Sequence, residues 1–308
     1  MKKSSQKIIF FGTESFSAES LDRLINGGYE IAAVVTKPDS AKGRGKKLAQ
    51  SPVKLLALRH NITIWQPENV SDIASDIKNT PNRIGILVSY GKIIPKEILD
   101  LFEPFGIVNL HPSLLPNYRG SSPIESVILN GEEKTGISLI KLVAKMDAGP
   151  IYTQNTIELS GTENSSQLHD MLSQLGSELL VDSLPDIITG KLKPVDQDED
   201  HATYCKKIEK QDGKIDWQTP AEQIERQIRA YSKWPKSHTN IGGVDVIISQ
   251  AHYVPTNTGD DGELDTDYEH FLMINTRDGR ICVDSIQPLG KKEMPIKAFL
   301  AGYKTRLI

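Results

Sequence analysis

The 308-residue sequence predicts an α/β protein with a mostly parallel sheet, followed by a smaller β domain. Three stretches carry that prediction. The chain opens strand–helix–strand, which implies parallel strands. An apolar run at 105–110 stops on Asn-Leu-His-Pro, as a buried strand does at the edge where α/β sheets hold ligands. Beyond residue 208 the texture changes to short strands separated by turns, the pattern of a small β-barrel or sandwich. The length suffices for two domains. Residues 1–190 are expected as the first and 209–308 as the second, with 191–208 as a connection.

Bulk properties narrow the function classes. The net charge of −4 excludes a uniformly basic nucleic-acid binder, so any RNA contact must come from a local patch. Residues 209–308 carry 13 basic and 15 acidic side chains, so that domain can meet RNA only through one face. The apolar run Ile8 to Phe11 is too short for a signal peptide or a membrane span. Cys205 and Cys282 are far apart and form no C-x-x-C, which points to a reducing compartment with neither a disulfide framework nor a zinc site. The expectation is a cytoplasmic protein with no membrane contact. No coiled-coil pattern or long apolar edge demands assembly, so a monomer is expected.

Taken in order, Lys7 to Gly12 is a buried strand ending in a tight turn. The following helix carries Phe16, Leu21, Leu24 and Ile25, and Gly27-Gly28 stops it. Glu30 to Thr36 is the second strand. The turn between has one glycine where a dinucleotide fingerprint needs three, so neither NAD nor FAD is predicted. Thr36 to Lys47 then holds five basic residues in twelve, with Gly43-Arg44-Gly45 at its centre and Lys46 and Lys47 at its end. A solvated loop is one reading. The other is an anionic partner, because the glycines admit close backbone approach and Arg44 can fork onto a phosphate. Ser51-Pro52 opens a helix. Strands follow at 62–65 and 83–90, with a weak helix at 71–78 between them and a short one from Pro95 to Leu101.

The informative stretch is Gly106 to Pro116. Proline ends the strand at 112, and the residue before a proline is held extended. Side chains alternate along a strand, so Asn109 and His111 share one side. By themselves the two could merely satisfy loop backbone. A helix capped by Ser122-Pro123 and a strand over 135–143 bring the chain back to Lys145-Met-Asp-Ala-Gly-Pro150. Alone, this stretch is a turn. A leucine-faced helix fills 165–184, and Pro185 should end or kink it. In the second domain a helix spans 220–231. Strand-like runs lie at 244–249, 271–275 and 281–286, with a weaker one near 298–307.

Asn109-Leu-His-Pro-Ser-Leu-Leu-Pro116, Tyr118-Arg-Gly120 with Pro123-Ile124, and Met146-Asp147 with Gly149 resemble the motifs of the methionyl-tRNA formyltransferase family, within the 10-formyltetrahydrofolate-dependent formyltransferases. Gly12-Thr13, Tyr90-Gly91, the basic loop with Ser51-Pro-Val-Lys54, Asp216-Trp217 and Gly290-Lys-Lys-Glu-Met294 are similar too. The resemblance runs nearly end to end. It implies a Rossmann-like formyltransferase domain and a C-terminal barrel of the OB type. It implies a catalytic trio of Asn109, His111 and Asp147, with no metal. Ser113, Leu114, Leu115 and Pro116 are expected to line the folate site, with Val88, Tyr90 and Gly91. Arg44, Lys46, Lys47 and Lys207 are expected on the tRNA side. The implied partners are 10-formyltetrahydrofolate and initiator methionyl-tRNA. The chain departs from the family at Glu14, where proline is usual, at Ser121-Ser122, at Glu125 and at Ser232-Lys-Trp-Pro235.

Formyl transfer is acyl transfer. An amine attacks the formyl carbon, and negative charge develops on oxygen. The expected roles are Asn109 and protonated His111 at that oxygen. Asp147 orients the ring and accepts the amine's proton, directly or through water. Three other readings compete: formyl transfer to a small amine, hydrolysis of the folate, and a non-catalytic RNA-binding protein. The basic loop and the second domain oppose the small acceptor, and the trio opposes the last.

Overall fold

A computed structural model describes residues 6–42 and 47–307, with the side chains of 41, 42 and 47 outside that description. The chain divides into two compact units. The first comprises Met1–Gly120, Lys134–Ile157 and His169–Tyr204, and the second Ser121–Glu133, Glu158–Leu168 and Cys205–Ile308.

The first unit is built on β1 (Lys7–Gly12), α1 (Ser15–Asn26) and β2 (Glu30–Val35), followed by a hairpin of β3 (Ser40–Lys42) and β4 (Lys47–Ala49). Then come α2 (Pro52–Arg59), β5 (Ile64–Trp65), α3 (Ala74–Asn79), β6 (Arg83–Val88), α4 (Lys96–Leu99), β7 (Ile107–His111) and β8 (Arg119–Gly120). After α5 (Pro123–Asn130) the chain adds β9 (Lys134–Lys141), β10 (Ile151–Glu158), α6 (Ser165–Ile188) and β11 (Tyr204–Cys205). The seven-stranded sheet runs β10-β9-β7-β6-β1-β2-β5. The pairs β1–β2, β1–β6, β2–β5 and β6–β7 are parallel. Ile8 to Phe11 are fully buried, as a central strand covered on both faces requires.

Three features at the ends of these strands bear on function. Thr13 Oγ1 donates to the Tyr90 carbonyl at 3.0 Å, and Ser17 Oγ donates to the Val88 carbonyl at 2.5 Å. These bonds tie the turn after β1 to the end of β6. Leu87 and Val88 pair with Asn109 and Leu110, so the Asn-Leu-His end of β7 lies on the same edge. Ser51 accepts from Lys54 N–H at 3.1 Å and caps α2.

The strand expected over 135–143 is β9, which runs antiparallel to β7 in the mostly parallel sheet. Two details differ from the sequence reading. Pro185 does not stop α6, which continues to Ile188. Proline denies the Val181 carbonyl its helical partner, and the Tyr29 hydroxyl donates there instead at 3.3 Å. The stretch near 298–307 is helical: α8 (Ile296–Leu307). Its buried residues Ile296, Phe299 and Leu300 recur at helical spacing, and the alternation of a strand is missing.

The second unit holds α7 (Ala221–Ala230), β12 (His238–Ile241), β13 (Val244–Val254), β14 (Leu264–Thr266), β15 (Leu272–Asn275), β16 (Arg280–Pro288), β17 (Met294–Pro295) and α8. Its antiparallel sheet runs β12-β13-β16-β15-β14, with β17 on β16, and curls into an OB-like half-barrel. Ile224, Ile228, Ile248, Ile281, Ile286 and Phe299 fill the interior. Among the described residues, no helix is long and apolar enough to cross a membrane.

Candidate active site

Strand β7 is buried along its whole length, and it delivers Asn109 and His111 to one face with 5% exposure each. His111 Nε2 lies 2.9 Å from the Tyr118 carbonyl oxygen. A carbonyl only accepts, so Nε2 carries a proton in this bond and Nδ1 is the nitrogen left facing the site. Asp147 Oδ2 is 3.8 Å from Nδ1, within ion-pair range but beyond a direct hydrogen bond. The Tyr118 carbonyl, rather than Asp147, therefore sets the ring's orientation. Among the described residues the Asn109 carboxamide forms no side-chain hydrogen bond, so its N–H donors are uncommitted.

Asp147 reaches this place from the loop after β9. Its φ is +48°, a left-handed conformation that costs energy for any residue but glycine and persists only where the surroundings hold it. Its Oδ2 accepts the Gly120 N–H at 2.8 Å. Gln197 Nε2 donates to the Asp147 carbonyl and to the Gly149 carbonyl, each at 2.7 Å. Behind Gln197 lies Arg119, whose side chain is fully buried. The 191–208 stretch read as a connection thus brings Gln197, Glu199 and Tyr204 to the first unit. Sequence reasoning passed over Gln197 and gave Arg119 no task. The signal available was a charged side chain inside Tyr-Arg-Gly, beside a strand end, with nothing nearby in sequence to pair it.

Residues 6–184 match the family model described as Formyl transferase, and residues 207–304 match the Formyl transferase, C-terminal domain. A methionyl-tRNA formyltransferase of Sulfurihydrogenibium sp. (strain YO3AOP1) is 36% identical over 305 residues, covering 97% of this chain and 98% of the relative. The methionyl-tRNA formyltransferase of Bacillus subtilis (strain 168) is 37% identical over 301 residues, covering 96% and 94%. The chain belongs to the methionyl-tRNA formyltransferase family. An N-formyltransferase from Helicobacter canadensis, solved with folinic acid and dTDP-3-aminofucose, superposes with a TM-score of 0.70 at 20% identity, over 92% of this chain and 98% of that one. That likeness concerns the fold.

The remaining residues singled out by the family resemblance fall into two groups. Ser113 is fully buried, and its hydroxyl donates to the Asn117 carbonyl at 2.6 Å. Leu115 is buried with its N–H on Ser138 Oγ, at 3.0 Å. Val88 and Tyr90 are fully buried, and the Tyr90 ring packs edge-on against Phe11. Burial pushes the Tyr90 hydroxyl up to about 12. These four can offer a ligand backbone and contour, while Leu114, Pro116 and Gly91 keep surface of their own. Arg44 and Lys46 lie outside the described residues. Lys47 pairs through its backbone with Lys42 in the β3–β4 hairpin, and Lys207 is exposed in the second unit.

Among the described residues, one trio of metal-capable side chains lies close together: His252, Cys282 and Asp284, with ligand atoms within 4.8 Å of one another. It sits in the second unit on β13 and β16. His252 already hydrogen-bonds Asp284 at 3.0 Å, and burial followed by the Asp284 charge raises the Cys282 thiol.

Proposed function

We propose that the protein transfers the formyl group of 10-formyltetrahydrofolate to the amino group of methionine on initiator methionyl-tRNA, by direct amine attack through a tetrahedral intermediate. One observation carries the reading. An uncommitted carboxamide, an imidazole of defined tautomer and a carboxylate converge at the end of β7, with 3.8 Å between His111 Nδ1 and Asp147 Oδ2. The 36–37% identity to curated methionyl-tRNA formyltransferases supports the choice of substrates.

The amine nitrogen bonds to the formyl carbon, and the carbonyl electrons move to oxygen. Asn109 Nδ2 donates to that oxygen, and Nδ1 of a protonated His111 donates beside it. Nε2–H stays on the Tyr118 carbonyl throughout, so the ring does not have to turn during the reaction. Asp147 accepts the amine's proton, directly or through water, and that proton reaches N10 of the folate as the C–N10 bond breaks. Protein donors in a site this buried need little reorganisation as the charge develops.

The folate lies against the 113–116 turn and the Val88, Tyr90 and Gly91 edge. Arg44, Lys46, Lys47 and Lys207 contact the tRNA. Residues 1–190 house the chemistry, 209–308 help hold RNA, and the 191–208 connection lends Gln197 to the site. The protein works as a cytoplasmic monomer without metal or nicotinamide.

The test is formyl transfer from 10-formyltetrahydrofolate to methionyl-tRNA, to free amines and to water, measured side by side. The expected result is transfer to the tRNA alone. Asn109→Ala, His111→Ala and Asp147→Ala should each lower kcat by about 10²–10³ with melting temperature preserved. Near-normal turnover in any of them removes that residue from the mechanism, and preference for a free amine or water overturns the substrate.

A further inference from the structure

We propose that Gln197 and Arg119 are positioning residues for Asp147, forming a clamp that holds the catalytic loop in its left-handed turn. The proposal rests on the role of Asp147 given above.

Gln197 uses both ends of its amide. Nε2 has two hydrogens, and it donates to the carbonyls of Asp147 and Gly149. Oε1 accepts from Arg119 Nε at 3.1 Å and Nη2 at 2.8 Å. Arg119 in turn has five N–H donors in a fixed fork. Nε and Nη2 meet Gln197, Nη1 and Nη2 meet Glu199 at 3.2 and 3.0 Å, and Nη1 meets the Tyr204 hydroxyl at 3.1 Å. Every donor has a place, so neither side chain can turn without leaving a buried polar group unpaired.

The direction of the chain matters. A buried arginine orients a glutamine, and the glutamine grips the backbone on both sides of Ala148. Glu199 adds a second tie, because it also accepts from Lys145, two residues before Asp147. Hydrogen bonds from Arg119 and then Lys145 hold the Glu199 carboxyl down at about 2, so this tie stays charged across the neutral range. The loop is thereby held at Lys145, Asp147 and Gly149, while the carboxylate itself accepts from Gly120 N–H and faces His111. Nothing in the clamp touches the place where substrates react.

A clamp of this kind acts on the chemical step and leaves binding alone. Misplacing a catalytic group by about 1 Å costs on the order of 10²-fold. Gln197→Glu is the discriminating change, because it keeps the acceptor for Arg119 and removes both donations to the loop. The experiment measures kcat, KM for each substrate and melting temperature for Gln197→Glu and Gln197→Ala, alone and combined with Asp147→Asn. The expected result is a kcat loss of about 10–10²-fold for each single variant, with both KM values within about twofold. In the Asp147→Asn background, Gln197→Glu adds less than about a twofold further loss. An equal loss in both backgrounds, or an effect confined to KM, overturns the clamp. So does normal kcat in Gln197→Glu while Asp147→Asn is inactive, which leaves the catalytic reading intact. Normal turnover in Asp147→Asn overturns both.

Discussion

Replacing Gly149 with alanine should disable the enzyme while leaving it folded. A methyl group on the Gly149 Cα would fall 1.7 Å from the Lys141 carbonyl oxygen and 3.0 Å from the carbonyl carbon. Cβ atoms do not approach backbone this closely, and reaching even 3.0 Å from the oxygen requires 3.0 − 1.7 = 1.3 Å of movement. Lys141 is the last residue of β9, and its N–H is bonded to the Pro150 carbonyl at 2.9 Å. The strand therefore resists, and the loop moves. Asp147 is two residues away, and a shift of this size predicts a fall in kcat of about 10²-fold, or about 2.7 kcal/mol in the barrier. Overpacking adds a stability cost of about 1–3 kcal/mol. Rapid-quench single-turnover transfer at saturating substrates, beside a thermal melt, separates the two effects. A folded Gly149→Ala protein that turns over within about threefold of the parent would refute the view that the position of Asp147 limits the reaction.

Two further predictions concern stability. The Tyr90 hydroxyl is buried without a partner among the described residues, so Tyr90→Phe should raise stability by about 1 kcal/mol in denaturant titration, and an unchanged or lowered midpoint would contradict this. Because the folded pKa is about 12 against 10.0 unfolded, the parent should also lose stability as pH rises through 10 to 12, and the variant less. Burial raises the Glu125 carboxyl, with a hydrogen bond from its own backbone N–H and then the Lys233 charge only partly offsetting it. Its neutral form is favoured in the fold, so the contribution is full below the unfolded pKa and is lost as pH rises. Glu125→Gln should then melt higher than the parent at pH 7 and equally at pH 4, and equal melting at both would contradict this.

Local rules alone located β7 and the strand end that carries Asn109 and His111. A buried apolar run and Pro112 fix where the strand stops, and its two-residue period puts Asn109 and His111 on one side. The cap at Ser51 was local in the same way. The misreadings were of a different kind. The expectation of a strand near 298–307 starts too late to include Ile296, and without that residue the i, i+3, i+4 spacing with Phe299 and Leu300 that marks the helix is lost. α6 passes Pro185 because Tyr29, more than 150 residues away, supplies the missing donor.

The candidate site shows the same division. Asn109, His111 and Asp147 were singled out as a set by the family resemblance, and what each could do follows from its side chain, since an amide, an imidazole and a carboxylate have fixed capacities wherever they lie. Which imidazole nitrogen works depends on the Tyr118 carbonyl, and the place of Asp147 depends on Gln197, Arg119 and the Lys141 backbone. Gln197 is 50 residues beyond Asp147. Sequence determined which groups could react. Tertiary structure decided how they are held, because hydrogen bonds between distant segments leave no periodicity along the chain.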